Sequence, residues 1–227
     1  MLLHIPKVLS AEDLAECRRR LEEAEWVDGR GTAGHLSRLV KNNVQLRWDH
    51  PVARALGELI MDRLEAQPDF MAAALPHKFV PPLFNRYAEG QNYGPHVDGS
   101  IRPIEGTPHR VRTDLSATLF LSEPEDYDGG DLLIEDGFGQ RRIKLPAGDL
   151  ILYPGTSVHH VEPVTRGARF ASFFWIQSMV RDDADRTLLF QLDQSIRQIG
   201  VDDPQRRATT VQLTNVYHNL IRRWADT

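Results

Sequence analysis

Three side chains able to ligate a transition metal stand beside turn signals in the middle of the chain. His96-Val97-Asp98 follows the turn-rich segment Glu89-Gly90-Gln91-Asn92-Tyr93-Gly94-Pro95. In an extended chain, residues two apart face the same side, so this imidazole and carboxylate can converge on one point. A lone His-x-Asp is common and defines no site by itself. A third donor lies 63 residues on, in Tyr153-Pro154-Gly155-Thr156-Ser157-Val158-His159-His160-Val161. Two histidines and one carboxylate at the mouth of a β-barrel form a facial set. Such a set leaves the opposite positions of an octahedral Fe(II) open for a cosubstrate and O2. Zinc hydrolases can use the same donors, so the triad suggests iron without fixing it.

Arg169 separates the two. It lies ten residues after His159, and Pro163-Val164-Thr165-Arg166-Gly167 between them predicts a hairpin turn. An antiparallel return there carries Arg169 into the same cavity, deeper than the metal. A planar guanidinium at that depth suits a dicarboxylate whose other end chelates iron, and a hydrolytic zinc site has no need of one. Tyr87, nine residues before His96 on the preceding strand, can offer its hydroxyl to such a cosubstrate. His160 competes with His159, but strand neighbours face opposite ways and the ten-residue register favours His159. Arg166 competes with Arg169; its place beside Gly167 predicts an exposed turn residue. Arg110 and Arg112 either line the substrate entrance or are solvated. His4, His35, His50, His77, His109 and His218 have no ligand-like company and read as ordinary structural or surface residues.

The elements that must hold these groups divide the chain in three. Residues 1–77 read as a helical support region. Ser10, with Asp13 three residues later, caps a helix carrying Leu14, Cys17, Leu21 and Ala24, expected to stop near Asp28-Gly29. A second begins at Pro51, carries Val52, Leu56, Leu59, Ile60 and Leu64, and is expected to end at Pro68. Residues 78–178 change texture. Short apolar runs (78–80, 83–87, 115–121, 131–134, 141–145, 149–153 and 170–177) alternate with turns at Gly129-Gly130, Gly137-Phe138-Gly139 and Pro146-Ala147-Gly148. Many short strands at regular spacing argue for a sandwich or jelly roll. Along the last of them, Phe173 and Trp175 share the parity of Arg169, while Phe170, Phe174 and Ile176 face the other way; most of these read as barrel core. Residues 179–227 return to helix. Leu188, Leu189, Leu192, Ile196 and Ile199 form one stripe and Leu213, Val216, Tyr217, Leu220 and Trp224 another, with a break at Asp202-Asp203-Pro204. These stripes predict packing on the barrel or, as a homo-oligomer, on a second copy of the chain.

Composition narrows the class. The 227 residues are 41% hydrophobic and 26% charged, enough for one sizeable core. A formal net charge of −5 argues against a nucleic-acid or anionic-membrane partner. Cys17 is the single cysteine, which excludes an intramolecular disulfide and a thiolate-rich zinc site. The N-terminal residues lack a signal-peptide pattern, and no stretch approaches the roughly 20 apolar residues of a membrane span. A cytoplasmic location is the expectation.

The sequence resembles the bacterial PKHD-type hydroxylases, relatives of prolyl 4-hydroxylases in the Fe(II)/2-oxoglutarate dioxygenase superfamily. The likeness runs nearly end to end: Phe84-Asn85-Arg86-Tyr87, His96-Val97-Asp98, the segment Arg112 to Leu121, Tyr127-Asp128-Gly129-Gly130, Leu145-Pro146-Ala147-Gly148-Asp149, His159 with Pro163 to Arg169, Phe174 to Arg181, and Tyr217-His218-Asn219-Leu220. The resemblance implies a double-stranded β-helix core, Fe(II) held by His96, Asp98 and His159, and 2-oxoglutarate held by Arg169. It also implies L-ascorbate as a further cofactor, turnover of 2-oxoglutarate and O2 to succinate and CO2 with hydroxylation of a substrate C–H, and a link to iron uptake. Related halogenases lack the carboxylate ligand, so Asp98 favours hydroxylation. The chain departs from its relatives at His160, where they usually carry arginine, and in the Gly99-Ser100 that follows Asp98. Two other functions compete: a cosubstrate-independent cupin-like metalloenzyme, against which Arg169 and Tyr87 argue, and a non-catalytic iron or 2-oxoglutarate sensor regulating iron acquisition. A peptidyl proline, a free amino acid and a siderophore-like small molecule are all open as substrate.

Overall fold

Strands with two-residue alternation have to bury one face, and here two antiparallel sheets bury theirs against each other. The computed structural model describes residues 1–137, 139–200 and 204–227. The N-terminal part supplies β1 (Leu3–Ile5), α1 (Ala11–Glu23), β2 (Val27–Asp28), β3 (Lys41–Asn42), β4 (Val44–Gln45), α2 (Pro51–Glu65) and α3 (Pro68–Ala74). Then come β5 (Pro76–Phe79), β6 (Leu83–Ala88), β7 (Asn92–His96), β8 (Ile101–Pro103), β9 (Arg110–Arg112) and β10 (Leu115–Phe120). They are followed by β11 (Tyr127–Gly129), β12 (Leu132–Asp136), β13 (Gly139–Ile143), β14 (Leu150–Pro154), β15 (His159–Val161) and the fifteen-residue β16 (Val164–Ser178). Two helices, α4 (Asp183–Ile199) and α5 (Pro204–Trp224), close the chain.

The larger sheet has nine strands, seven in the order β1-β14-β10-β16-β6-β4-β2 with β11 and β5 also paired to β16. The smaller runs β13-β12-β15-β7-β3, and β8 with β9 makes a separate ribbon. Tyr87, Phe120, Ile151, Tyr153 and Val164 of the larger sheet pack against Leu132, Ile134, Ile143 and Val161 of the smaller to fill the space between them. This is the jelly-roll core expected from the strand spacing. On the outer face of the larger sheet, Leu115, Ala117, Leu119, Phe170, Phe174 and Ile176 meet Cys17, Leu21, Leu56, Ile60 and Phe70 of the N-terminal helices. Buried on both faces, β10 reads as an unbroken apolar-rich run.

Several local expectations hold and several are corrected. The capping box of Ser10 and Asp13 is formed. However, α1 stops at Glu23, earlier than expected, because Trp26 turns back to donate its indole N–H to Leu21 O (3.0 Å) and to meet Phe170 edge-on. Pro68 opens α3 besides following the end of α2, since a proline that cannot continue a helix suits a first turn. The segment 163–167 is not a hairpin turn: β15 and β16 join different sheets, so the chain crosses between them at 162–163. Val164, buried in the barrel, draws the chain into β16 six residues before the expected start at 170. Gly167 is a strand residue at φ +72° opposite Tyr127. On α4, Leu189 is buried and Leu188 is 54% exposed, because the helix packs through Leu189 onto Leu75, Val180, Tyr217, Leu220 and Trp224. The expected break at Asp202-Asp203, like Phe138 of the Gly137–Gly139 turn, lies outside the described residues. No helix among the described residues is long and apolar enough to cross a membrane.

Gly167 gives the crossover a test. A Cβ there would lie 2.1 Å from Asp126 O, and the left-handed backbone adds strain of roughly 1–2 kcal/mol for any other residue. Gly90, at φ +80° with open space around it, carries the strain without the conflict. Gly167→Ala is expected to lower stability by about 2 kcal/mol more than Gly90→Ala, a melting-temperature gap of roughly 4–8 °C for a chain of this size. Equal melting temperatures for the two variants would refute the strand assignment of Gly167.

Candidate active site

Cross-strand neighbours assemble the chemistry-bearing residues. On the smaller sheet His159 of β15 lies directly opposite His96 of β7. Directly opposed residues of antiparallel strands are close side-chain neighbours, and the two imidazole centroids are 4.3 Å apart. Asp98, two residues past His96 and beyond the end of β7, brings Oδ2 to 3.7 Å from His159 Nε2. One ligand atom from each of the three lies within 4.8 Å of the others.

The backbone aims both rings. His96 Nδ1 is 2.9 Å from Gly94 O and His159 Nδ1 is 3.1 Å from Ser157 O. A carbonyl only accepts, so the proton sits on Nδ1 in each ring and the Nε2 lone pair is free to ligate. Tyr93 stacks on His96 at 3.6 Å and Tyr153 meets His159 edge-on at 5.2 Å, which locks the rings from behind. Burial, and then the charge of His159, push His96 down to about 4, so its imidazole is neutral at pH 7. Asp98 is treated oppositely. Burial works to raise its carboxyl, but His159, the Trp175 indole and the Ser116 hydroxyl outweigh it and hold the group below its ordinary value. Ser116 Oγ donates to Asp98 Oδ2 at 2.8 Å, and Ser116 and Trp175 are themselves directly opposed on β10 and β16. Two imidazole nitrogens and one fixed carboxylate form a donor set for a hard-to-borderline divalent ion.

The facing sheet supplies the second half. Arg169 of β16 is directly opposite Tyr87 of β6, and each is only 1% exposed. The guanidinium carbon lies 5.5 Å from the Tyr87 ring and 5.1 Å from the Phe120 ring. Among the described residues its Nε and Nη2 find no hydrogen-bond partner. Leaving a charged group buried and unpaired is destabilising by several kcal/mol, on the order of the penalties known for buried ions, so the pocket is shaped for an anion. Burial pushes the Tyr87 phenol up against the pull of Arg169, which keeps it a protonated donor.

His96, Asp98, His159, Arg169 and Tyr87 all line one cavity of about 1740 Å³. Ligand pockets usually span roughly 300–1,000 Å³, so there is room for a second molecule beside a small dicarboxylate. His160 pairs with Leu133 on β12 and lies outside the cavity. Arg166 is exposed and bonded through Nε and Nη2 to Asp128. Arg112 is held by Asp114 through two bonds and Arg110 is exposed, so neither lines the main cavity. His35 stands exposed on the rim, while His4 pairs with Asp149 and His50 caps α2. Cys17 is buried in α1, its thiol pushed up to about 12 by burial, and takes no part. Lys41, Tyr93, Arg102, Ser116 and Tyr153 line the cavity without having been singled out in the sequence. Ser116 had a usable signal, being, with Thr118, one of two polar residues in an otherwise apolar strand.

Residues 82–177 match the 2OG-Fe(II) oxygenase superfamily and residues 183–226 match the PKHD-type hydroxylase C-terminal domain. A PKHD-type hydroxylase of Methylobacillus flagellatus is 59% identical over 226 residues, covering 100% of both chains. Among solved structures, a Pseudomonas putida prolyl-4-hydroxylase is similar in fold at 23% identity and a TM-score of 0.52, over 78% of this chain and 92% of that one. HygX from Streptomyces hygroscopicus, with nickel, 2-oxoglutarate and hygromycin B bound, gives 17% identity and a TM-score of 0.54 over 79% and 84% of the two chains.

The depressed His96 makes metal-free stability depend on pH. An unfolded histidine titrates near 6.5, whereas His96 in the fold titrates at about 4. Between those values the unfolded state binds the extra proton, so stability falls as pH falls through that window. The urea midpoint of metal-free protein should therefore be lower at pH 5 than at pH 7, and His96→Gln should narrow the difference. An undiminished difference in that variant would clear His96 of responsibility.

Proposed function

This chain belongs to the PKHD-type hydroxylases, within the 2OG-Fe(II) oxygenase superfamily, and we propose that His96, Asp98 and His159 hold its Fe(II) while Arg169 and Tyr87 hold the far carboxylate of 2-oxoglutarate. The observation that carries this reading is Arg169, a sealed guanidinium with two unpaired N–H groups that shares one cavity with a three-donor cluster. A five-carbon dicarboxylate satisfies both ends at once, fork to carboxylate at one and chelation at the other. Iron with bound 2-oxoglutarate and O2 supplies the oxidation, yielding succinate, CO2 and a hydroxylated product.

The protein's own residues prepare that step. The Nδ1–H bonds of His96 and His159 keep both Nε2 atoms bare toward the metal. Ser116 and Trp175 keep Asp98 ionised, and an occupied carboxylate position favours hydroxylation over halide transfer. Tyr87 and Phe120 flank the Arg169 guanidinium and strengthen its pairing by excluding water. In this reading residues 78–178 carry the reacting groups, and 1–77 and 179–227 support them. L-Ascorbate and a link to iron uptake are carried over from the family resemblance. Self-association through α4 and α5 is supported by exposed Leu188, Val211 and Val216. A light-scattering mass of a single 25.8 kDa chain would remove that part.

The test separates the roles. Anaerobic Fe(II) plus 2-oxoglutarate should give a visible charge-transfer band, lost in His96→Ala and His159→Ala and retained in His160→Ala. Removing one partner of a buried charge pair costs on the order of 2–5 kcal/mol, or about 30- to several-thousand-fold. Arg169→Ala should raise the 2-oxoglutarate requirement by that factor with Fe(II) binding nearly unchanged. Arg169→Lys should recover part of the loss, and Arg166→Ala should match wild type. Succinate formation distinguishes an enzyme from a sensor. Loss of cosubstrate binding in Arg166→Ala but not in Arg169→Ala would overturn the assignment.

A further inference from the structure

Two more cations line the cavity, and among the described residues neither is in ion-pair contact with an acid. Lys41, in β3, is 6% exposed and donates from Nζ to Thr32 Oγ1 at 2.9 Å. Arg102, in β8, donates from Nη2 to the backbone carbonyl of the same Thr32 at 3.0 Å. Both therefore stand at one place on the wall. Three acids are near enough for their charge to be felt. Asp98 is turned to the histidines, Asp28 is held by Arg30, and Glu105 is exposed. Burial, and then the charge of Arg102, draw Lys41 down to about 7. A buried ammonium beside a half-buried guanidinium makes a place that an anion can join.

Each cation is one aromatic ring away from the triad. Lys41 Nζ lies 4.9 Å from the Tyr93 ring centroid, and Tyr93 stacks on His96. The Arg102 guanidinium carbon lies 3.8 Å from the Trp175 ring, whose indole bonds Asp98. Neither lies over Tyr87 or Phe120, the rings that flank Arg169. The opening around them is apolar: Leu36, Val40, Trp48, Val97 and Ile101 line it and are exposed, Leu36 to 75%. Exposed apolar side chains gathered at one opening mark a binding surface.

Resting on the oxygenase reading of the site, we propose that the compound oxidised here is a small amphipathic carboxylate. Its carboxylate seats between Lys41 and Arg102, and its apolar body lies against Leu36, Val40, Trp48, Val97 and Ile101. A guanidinium fork beside an ammonium matches carboxylate geometry. A monoanion suits the place, because the charge of Asp98 reaches both cations and repels a second negative charge.

The test uses full-length protein loaded anaerobically with Fe(II) and saturating 2-oxoglutarate. Calorimetric titration compares phenylacetate, indole-3-acetate and octanoate, each with its neutral primary amide. At least one carboxylate should bind roughly tenfold or more tighter than its amide, the worth of a charge-assisted hydrogen bond. Lys41→Met and Arg102→Gln should each erase most of that preference while keeping the charge-transfer band and the affinity for the amide. Arg102→Lys should restore part of it. Carboxylates no tighter than amides, or a preference that survives in both variants, would overturn the proposal. So would loss of the band in these variants, because the cations would then serve the cosubstrate. Absence of the band in wild type would instead sink the oxygenase reading itself.

Discussion

A guanidinium sealed between two β-sheets with two of its N–H groups unpaired is an expensive feature, and the rest of the molecule is arranged so that it persists. Arg169 keeps its place because β16 is held on both sides, by β10 and by β6, along most of its length. It also keeps its direction. Phe170, Phe174 and Ile176 are driven into the layer shared with α1, α2 and α3. Alternation then obliges Arg169, Phe173 and Trp175 to face the cavity. Burial of the apolar faces of the N-terminal helices thus sets which side of β16 the reacting groups occupy.

The same alternation distributes charge across the cavity. Asp98 stands beside the two imidazoles, and Arg169, Lys41 and Arg102 line the walls together with Arg54, Glu58, Asp62 and Glu105. A divalent metal would add two positive charges beside Asp98, the one carboxylate among the three ligands. A bound dicarboxylate would balance that charge, and an anionic substrate would meet Lys41 and Arg102, whose hydrogen bonds among the described residues go to Thr32 and to no acid.

Much of this was legible in the residue order. His96 and Asp98 could be placed on one face because they are two apart, and His159 could be preferred over His160 by parity. The inner and outer sides of the last strand could be separated by counting from Arg169. What the order hid was pairing at a distance. The ten-residue interval from His159 to Arg169 looks like a hairpin, but it spans a crossover between sheets, because burial of Val164 starts β16 at once. Both routes deliver Arg169 to the same cavity, so the functional inference survived an incorrect local geometry. Lys41 was invisible for a different reason. It sits in a two-residue strand within a segment whose helical periodicity dominates, and only the pairing of β3 with β7 carries it to the site. On α4 the expected stripe holds both Leu188 and Leu189, which are equally apolar, and only the packing partners make Leu189 the buried one.

That the site and the fold share one register has a consequence for both. A slip of β16 by a single residue would carry Arg169 into the apolar layer against the helices and turn Phe170 toward the cavity. It would also break the Ser116–Trp175 pairing beside Asp98 and the Tyr87–Arg169 pairing opposite it. Each error alone would bury a charge in hydrocarbon or strip a carboxylate of its donors, penalties of several kcal/mol by the usual order of magnitude. The alternative registers of the longest strand are therefore excluded by the polar residues of the cavity as strongly as by the apolar residues of the core. The polar groups that look most damaging to stability thus help to make the native pairing unique.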